Sequence, residues 1–467
     1  MAADENKVKI HEVTKVSSFS DSTSPSILPL TYFDTFWFKF PPVERLFFYQ
    51  ISELNSGFFN SVVLPKLRHS LSLTLHHYFP LAGSLMWPED APRPAIYYFP
   101  NDGVSLTVAE SDADFNFLSG NGFREAVKFH HLIPQLSISE DKAEVIALQI
   151  TLLPNEGFSI GISCHHAVLD GKSSTMFMKS WAYLCKRLGE EENPLLPELI
   201  PCFDRTVIKD PEGLDVVYAN HWLAFTGADL NPKTRSLKVT PKKLNSNLLR
   251  ATFELTREDI KKLRDKVLSI TSTFKKNEDR QSKELHLSTY VLTCAYVYVC
   301  LLKAKEEEEP NTSIAFGVAA DCRSRSDPPI PVNYFGNCVA GHLTTAKASD
   351  LMDENGIAFV AEKLSDLIKE MRGKAIVVSE EEFVKVLRLM KEEGTKFLSL
   401  AGSNRFDVYG MDFGWGRPKK VEIVSIDGTG AFSMAESRDG GGGVEVGVVL
   451  EKQQMQRFAA LFVDGLK

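Results

Sequence analysis

The chain has 467 residues, 43% hydrophobic, 10% aromatic and 24% charged, which supports one large or two ordinary domains and excludes a disordered polymer. Lys and Arg number 53 against 61 Asp and Glu, a formal net charge of −8. That balance excludes a broad electrostatic footprint for nucleic acid, so any phosphate has to be met by a local basic cluster.

The N-terminal MAADENKVKIHEV carries charge where a secretory leader needs an apolar run, and the cytoplasm is the predicted compartment. Residues Asn60 to Tyr78 place Val63, Leu67, Leu71, Leu75 and Tyr78 at helical spacing, and Phe79-Pro80-Leu81-Ala82-Gly83 stops that helix. Val145 to Leu153 and Phe158 to Cys164 read as two strands of a hairpin turning at Pro154-Asn155-Glu156-Gly157. HHAVLDG, His165 to Gly171, follows the second strand and precedes a helix with Phe177, Trp181 and Leu188 on its buried face. From Gly189 to about Tyr218 periodicity is lost in a proline-rich and acid-rich stretch, which reads as a linker.

Strand and helix patterns resume with ATFELT at Ala251, a helix over Arg257 to Leu268, a buried helix over Ser288 to Leu302 and a strand over Ile314 to Ala320. The apolar run Tyr290 to Leu302 is too short to span a bilayer, and no membrane partner is expected. Three short strands close the chain over Lys420 to Ile426, Ala431 to Glu436 and Gly443 to Leu450, with Gly440 to Gly443 as a hairpin turn. Seven cysteines without a CxxC pair form no disulfide framework. GxSxG, GxxxxGK, HExxH and GxGxxG are all missing, and no metal site is expected.

Two features carry chemistry. His166 sits where a strand ends and a helix begins, and imidazole is the side chain that titrates near neutrality and can deprotonate a hydroxyl. HxxxD alone is a weak pattern, for which a structural histidine is the competing reading. Asp412-Phe413-Gly414-Trp415-Gly416 combines backbone freedom at two glycines with a large aromatic anchor, and reads first as structural.

Together these motifs resemble the plant BAHD acyltransferases over essentially the whole chain. LPLTYFDTFWF at Leu28 to Phe38, FDRTVIKDP at Phe203 to Pro211 and YFGNC at Tyr334 to Cys338 resemble the subgroup of anthocyanin, flavonoid and phenolic glucoside malonyltransferases. The resemblance implies an α/β fold of two chloramphenicol-acetyltransferase-like domains joined by a crossover loop, with an active-site channel at their interface. The expected boundaries are residues 1–188 for the HxxxD domain, 189–225 for the crossover and 226–467 for a C-terminal domain carrying YFGNC and DFGWG.

It also implies transfer of an acyl group, malonyl foremost, from acyl-CoA to a sugar hydroxyl of a phenolic glucoside, with His166 as general base and no acyl-enzyme. Asp170 is expected to point away from substrate and pair with Arg323, while Asp412 to Gly416 form a structural loop. Malonyl-CoA is the co-substrate, no cofactor is permanently bound, and a monomer is favoured. Ser403 and Asn404 are candidate oxyanion donors, with loop capping as the competing role. Lys275 and Lys276, together with the helix start near His286, Ser288 and Thr289, are candidate CoA contacts. Lys39, in the aromatic run Thr35 to Phe40, is a candidate reader of the malonyl carboxylate, with Arg325, Arg405 and Lys172 competing. A hydroxycinnamoyl transferase of the same family and a non-catalytic binding protein keeping the fold are the alternatives.

Overall fold

The computed structural model describes residues 8–19, 24–190, 194–227, 235–241, 245–278, 285–305, 309–371 and 379–467, with side chains from 273 to 278 left aside. Backbone contacts divide it into two units. The first comprises Met1–Leu244, Pro328–Cys338 and Phe406–Ser425, and the second Asn245–Asp327, Val339–Arg405 and Ile426–Lys467.

The first unit is built on a six-stranded mixed sheet in the order Val8–Ser17, Gly103–Ser111, Ile146–Leu153, Gly157–Cys164, Val43–Gln50, Lys420–Ile423. The expected hairpin forms its centre, with Gly157 opposite Leu153 and Asn155 in the turn at φ 66°. Both of these strands are buried along their whole length, as their nearly continuous apolar sequences require. One face covers a core that includes Leu46, Phe48, Phe115, Phe129, Leu132 and Val424. The helix Gly171–Lys186 packs on Leu64–His77, where Trp181 Nε1 donates to Leu67 O at 3.1 Å and to Ser70 Oγ at 3.1 Å. A one-turn π-helix, Phe59–Val63, leads into that second helix. A smaller sheet orders Ser26–Pro29, Ala95–Tyr98, Ser84–Met86 and Lys142–Glu144.

The second unit contains the antiparallel pairs Leu248–Leu255 with Val444–Glu451 and Phe432–Glu436 with Val444–Glu451. A separate three-stranded sheet orders Val339–Lys347, Ser313–Asp321 and Lys396–Leu398. The helix Thr289–Ala304 is apolar nearly all round and buried along almost its entire length, the expected outcome for its sequence.

Four expectations change. The unit boundary falls at 244/245 instead of 225/226, and the stretch read as linker contains a helix, Leu214–Phe225. YFGNC and DFGWG lie in the first unit: Asp34 and Asp170 bond Asn337 and Cys338 of the former, and the strand Lys420–Ile423 after the latter adds to the edge of the large sheet beside Val43–Gln50. The helix from Arg257 runs on to Glu278, so Lys275 and Lys276 lie within that helix while still preceding the start of the next at Thr289.

Candidate active site

The strand Gly157–Cys164 delivers His165 and His166 to its C-terminal end, and Asp170 starts the helix Gly171–Lys186. Asp170 is the N-cap: its Oδ1 accepts from Ser173 N at 2.7 Å, and its Oδ2 accepts from Cys338 N at 3.1 Å. Capping of this kind contributes about 1 kcal/mol. The second bond ties the helix start to YFGNC. Gly171 has no room for a side chain, since a Cβ would lie 2.6 Å from the Phe406 ring.

His166 is half-buried. Asn337 Nδ2 donates to its backbone carbonyl at 3.0 Å, and the Trp37 ring stacks on the imidazole with centroids 4.4 Å apart and planes 8° apart. Phe40 meets the same ring edge-on at 5.9 Å. Among the described residues, no other residue hydrogen-bonds the buried Nδ1 of His166. Burial pushes the imidazole down to about 4, its own backbone carbonyl and the Asp170 carboxylate offsetting part of the effect. The ring is therefore neutral at physiological pH, the state a general base requires. His165 is fully buried, accepts at Nδ1 from Ala167 N at 3.3 Å, and is pushed down to about 3 by burial and then by His166 and Lys39.

Asn337 is held in turn by Asp34, whose carboxylate is completely buried. Oδ1 of Asp34 accepts from Asn337 N at 2.9 Å and Nδ2 at 3.1 Å, and its Oδ2 accepts from Thr31 N at 2.9 Å and Oγ1 at 2.8 Å. Four donors are what a buried carboxylate needs to offset desolvation. Ser173 Oγ both donates to Gly336 O at 2.8 Å and accepts from Gly336 N at 3.2 Å. Arg205 Nη1 donates to Tyr334 Oη at 2.5 Å and Phe335 O at 2.8 Å, and a Cβ on Gly336, at φ 154°, would run into that guanidinium. LPLTYFDTFWF, HHAVLDG, FDRTVIKDP and YFGNC are thus four parts of one hydrogen-bonded assembly.

Sequence reasoning missed Asp34, Asn337, Trp37 and Arg205 as supports of His166. One signal was available for Asp34: a lone carboxylate among aromatics needs buried donors, and Thr31-x-x-Asp34 is a capping-box spacing.

DFGWG closes on itself. Asp412 Oδ1 accepts from Gly414 N at 2.8 Å and Gly416 N at 2.9 Å, and its Oδ2 pairs with Lys186 Nζ at 2.7 Å. Burial raises the Asp412 carboxyl, but Lys186 and the two amides outweigh it and hold the group below its ordinary value. Gly414 and Gly416 have φ of 102° and 95°, which L side chains rarely adopt. Phe413 inserts edge-on between Tyr49 and Trp181, and Trp415 meets Phe158. Phe158 and Cys164 belong to one strand, six residues apart, which is roughly 20 Å at the usual rise. That spacing sets the Trp415 end of the loop far from His166.

Lys39 does not present a free ammonium. It is 2% exposed, and Nζ donates to the backbone carbonyls of Ser236 and Lys238, the latter at 2.9 Å. Burial lowers it to about 8, with Glu140 opposing. Two of its three donors are committed to pinning the 235–241 segment, which Leu237 N to Glu140 O at 2.8 Å and Thr240 N to Lys39 O at 2.9 Å also hold. Lys172 lies half-buried in the first turn of the helix Gly171–Lys186.

The remaining candidates belong to the second unit. Buried Arg323 pairs with Asp321 at 3.0 Å, and Arg325 Nη1 donates to Asp321 O at 2.6 Å. Ser403 Oγ accepts from Arg405 N at 3.3 Å, the loop-capping role, and half-buried Asn404 follows it in the turn. Ser288 N-caps the helix Thr289–Ala304 through Val291 N at 3.3 Å, and His286 N donates to Ser365 Oγ at 2.7 Å. Ser288 thus already occupies one of the amides that a phosphate would use at this helix start, whose first residue is Thr289. The side chains of Lys275 and Lys276 lie outside the described residues. Among those residues, no group of three His, Cys, Asp or Glu could hold a metal ion, and no helix is long and apolar enough to cross a membrane.

The sequence pattern of the Transferase family matches residues 6–463. Phenolic glucoside malonyltransferase 1 of Arabidopsis thaliana is 43% identical, over 99% of this chain and 98% of its own. Agmatine coumaroyltransferase of the same plant is 40% identical, over 97% and 98%. The crystal structure of vinorine synthase covers 98% of each chain with a TM-score of 0.67 at 19% identity, which shows a shared chloramphenicol-acetyltransferase-like fold. The class is that of the acyl-CoA-dependent O-acyltransferases. Within it, the chain belongs to the Transferase family, the BAHD acyltransferases.

Proposed function

We propose that this enzyme transfers malonyl from malonyl-CoA to a sugar hydroxyl of a phenolic glucoside, with His166 as general base and without an acyl-enzyme. The observation that carries the mechanism is the state of His166: neutral, half-buried, fixed through its carbonyl by Asn337 and across its face by Trp37. In this reading His166 accepts the proton of the acceptor hydroxyl as the oxygen adds to the thioester carbonyl. Collapse of the tetrahedral intermediate then expels CoA thiolate, and the imidazolium returns the proton to sulfur. Direct transfer is supported by the first hydroxyl that follows His166 in the chain and by the nearest thiol. Ser173 Oγ is engaged on both sides by Gly336, and burial pushes the Cys164 thiol up to about 12.

Malonyl and a phenolic glucoside are favoured by the near full-length similarity to a phenolic glucoside malonyltransferase. A coumaroyl donor is the second reading, favoured by agmatine coumaroyltransferase at similar identity. We assign Lys39 to anchoring the 235–241 segment and not to reading the malonyl carboxylate. The test gives malonyl-, acetyl- and coumaroyl-CoA to wild type and Lys39→Met, with simple phenolic glucosides and agmatine as acceptors and products identified by mass. Malonyl glucosides are the expected main product. The malonyl-to-acetyl ratio of kcat/KM should be the same in both proteins, while Lys39→Met loses about 1 to 3 kcal/mol of stability through two carbonyls left without their charged donor. A main product of coumaroylagmatine would replace the substrate assignment. A ratio that falls at least tenfold in Lys39→Met would return the lysine to the donor site.

A further inference from the structure

A histidine that takes a proton in the transition state becomes an imidazolium, and something has to stabilise that charge in a partly dry site. A carboxylate on the second ring nitrogen is one solution. Here both Asp170 oxygens are already bonded to backbone amides, and the acceptor that favours the ring's proton from close by is the neutral backbone carbonyl of His166 itself, not a carboxylate. The ring face, by contrast, is covered by Trp37, nearly parallel to it at 4.4 Å.

Trp37 is itself held firmly. Its amide donates to Asp34 O at 3.1 Å, its carbonyl accepts from Phe40 N at 3.0 Å, and Phe36 and Phe40 meet its ring edge-on at 4.9 and 5.0 Å. It follows directly on the capped turn Tyr32–Thr35, whose Asp34 carboxylate anchors Asn337. One short segment therefore controls both the backbone and the ring plane of His166.

Resting on the assignment of His166 as the base, we propose that Trp37 is a positioning residue that fixes the imidazole plane and stabilises the imidazolium formed during transfer through the negative face of its indole. The indole face is the strongest such surface a protein offers to a cation. The other charged or titratable groups acting on this ring are Asp170, which favours the proton, and His165, which is coupled to it. Neither covers the ring face.

The test replaces Trp37 with tryptophans carrying one, two, three and four ring fluorines. These keep the shape of the indole and progressively cancel its negative face. Two readouts are taken on the full-length protein: the His166 titration by NMR without substrate, and kcat and KM for malonyl-CoA with a phenolic glucoside. The His166 pKa is expected to fall steadily with fluorine number, and kcat to fall roughly three- to thirtyfold across the series with KM for the donor unchanged. Trp37→Phe should lie within the series and Trp37→Leu beyond its end in kcat. A His166 pKa and a kcat that are both flat across the fluorinated series overturn the proposal even if Trp37→Leu fails to fold. A pKa that falls with fluorination while kcat stays constant supports the ion–ring contact and overturns His166 as the base, so the two readings fail separately.

Discussion

The loop carrying His166 and the loop carrying Asp412 both hold sequence motifs, both lie in the first unit, and both rest on the helix Gly171–Lys186, yet they are finished differently. Around Asp412 both carboxylate oxygens have partners, both glycines adopt the conformation they alone tolerate, and the aromatic rings are packed edge to face. Around His166 the frame is equally complete, with Asp34 accepting from four donors and both Asp170 oxygens accepting from backbone amides, but among the described residues no other residue bonds the buried Nδ1 of the ring inside it. The contrast fits the proposed roles, a proton-exchanging ring at His166 and a structural loop at Asp412.

The widest separation between the two loops should come from His166→Ala. Transfer is expected to fall by about two to four orders of magnitude with thermal stability changed far less, since only a half-buried ring is removed. Steady-state kinetics beside a melting curve reads both, and near-normal turnover in the folded variant would remove the base assignment. Asp34→Asn should affect stability and activity together. The amide cannot accept all four donors, so about 2 to 4 kcal/mol of stability is lost, and kcat drops as Asn337 and the His166 carbonyl loosen. A variant that is destabilised but fully active per folded molecule would separate the Asp34 frame from catalysis.

The histidine pair gives a pH signature between about pH 4 and 6.5, above the window below 3.8 in which the depressed Asp412 carboxyl titrates. His165 and His166 are pushed down to about 3 and about 4 from an ordinary 6.5. The unfolded chain therefore binds more protons between those values, and stability rises with pH across the window. Falling from pH 7 to pH 4.5 should cost roughly 2 to 3 kcal/mol through buried His165 alone, and His165→Gln should flatten that part of the urea-denaturation profile. An unchanged slope would mean that the ring charges without opening the fold. The smallest effect is expected for Asp412→Ala, a loss of about 1 to 3 kcal/mol from two unsatisfied amides and a partly exposed ion pair. Its kcat per folded molecule should match wild type. A kcat loss beyond tenfold at full folding would extend the influence of this loop to the reacting atoms.

Local patterns were enough wherever one stretch of chain decides its own structure. The hairpin ending at Cys164, the all-apolar helix Thr289–Ala304, the helix start at Asp170 and the tight turn at Asp412 all follow from periodicity, capping and glycine placement. His166 was legible for the same reason, since a histidine at a strand-to-helix turn is held by two rigid neighbours. The tertiary structure alone decided which distant residues complete the site. Asp34 and Asn337 are 303 positions apart, and Asn337 lies 171 from His166. No local pattern encodes such pairings. They arise because a buried carboxylate and a buried amide must each find partners once the strands have set their positions. Lys39 makes the same point from the other side. Its aromatic surroundings suggested a lysine that either snorkels to the surface or meets an anion, and in the fold it is buried with the backbone carbonyls of Ser236 and Lys238 as its acceptors.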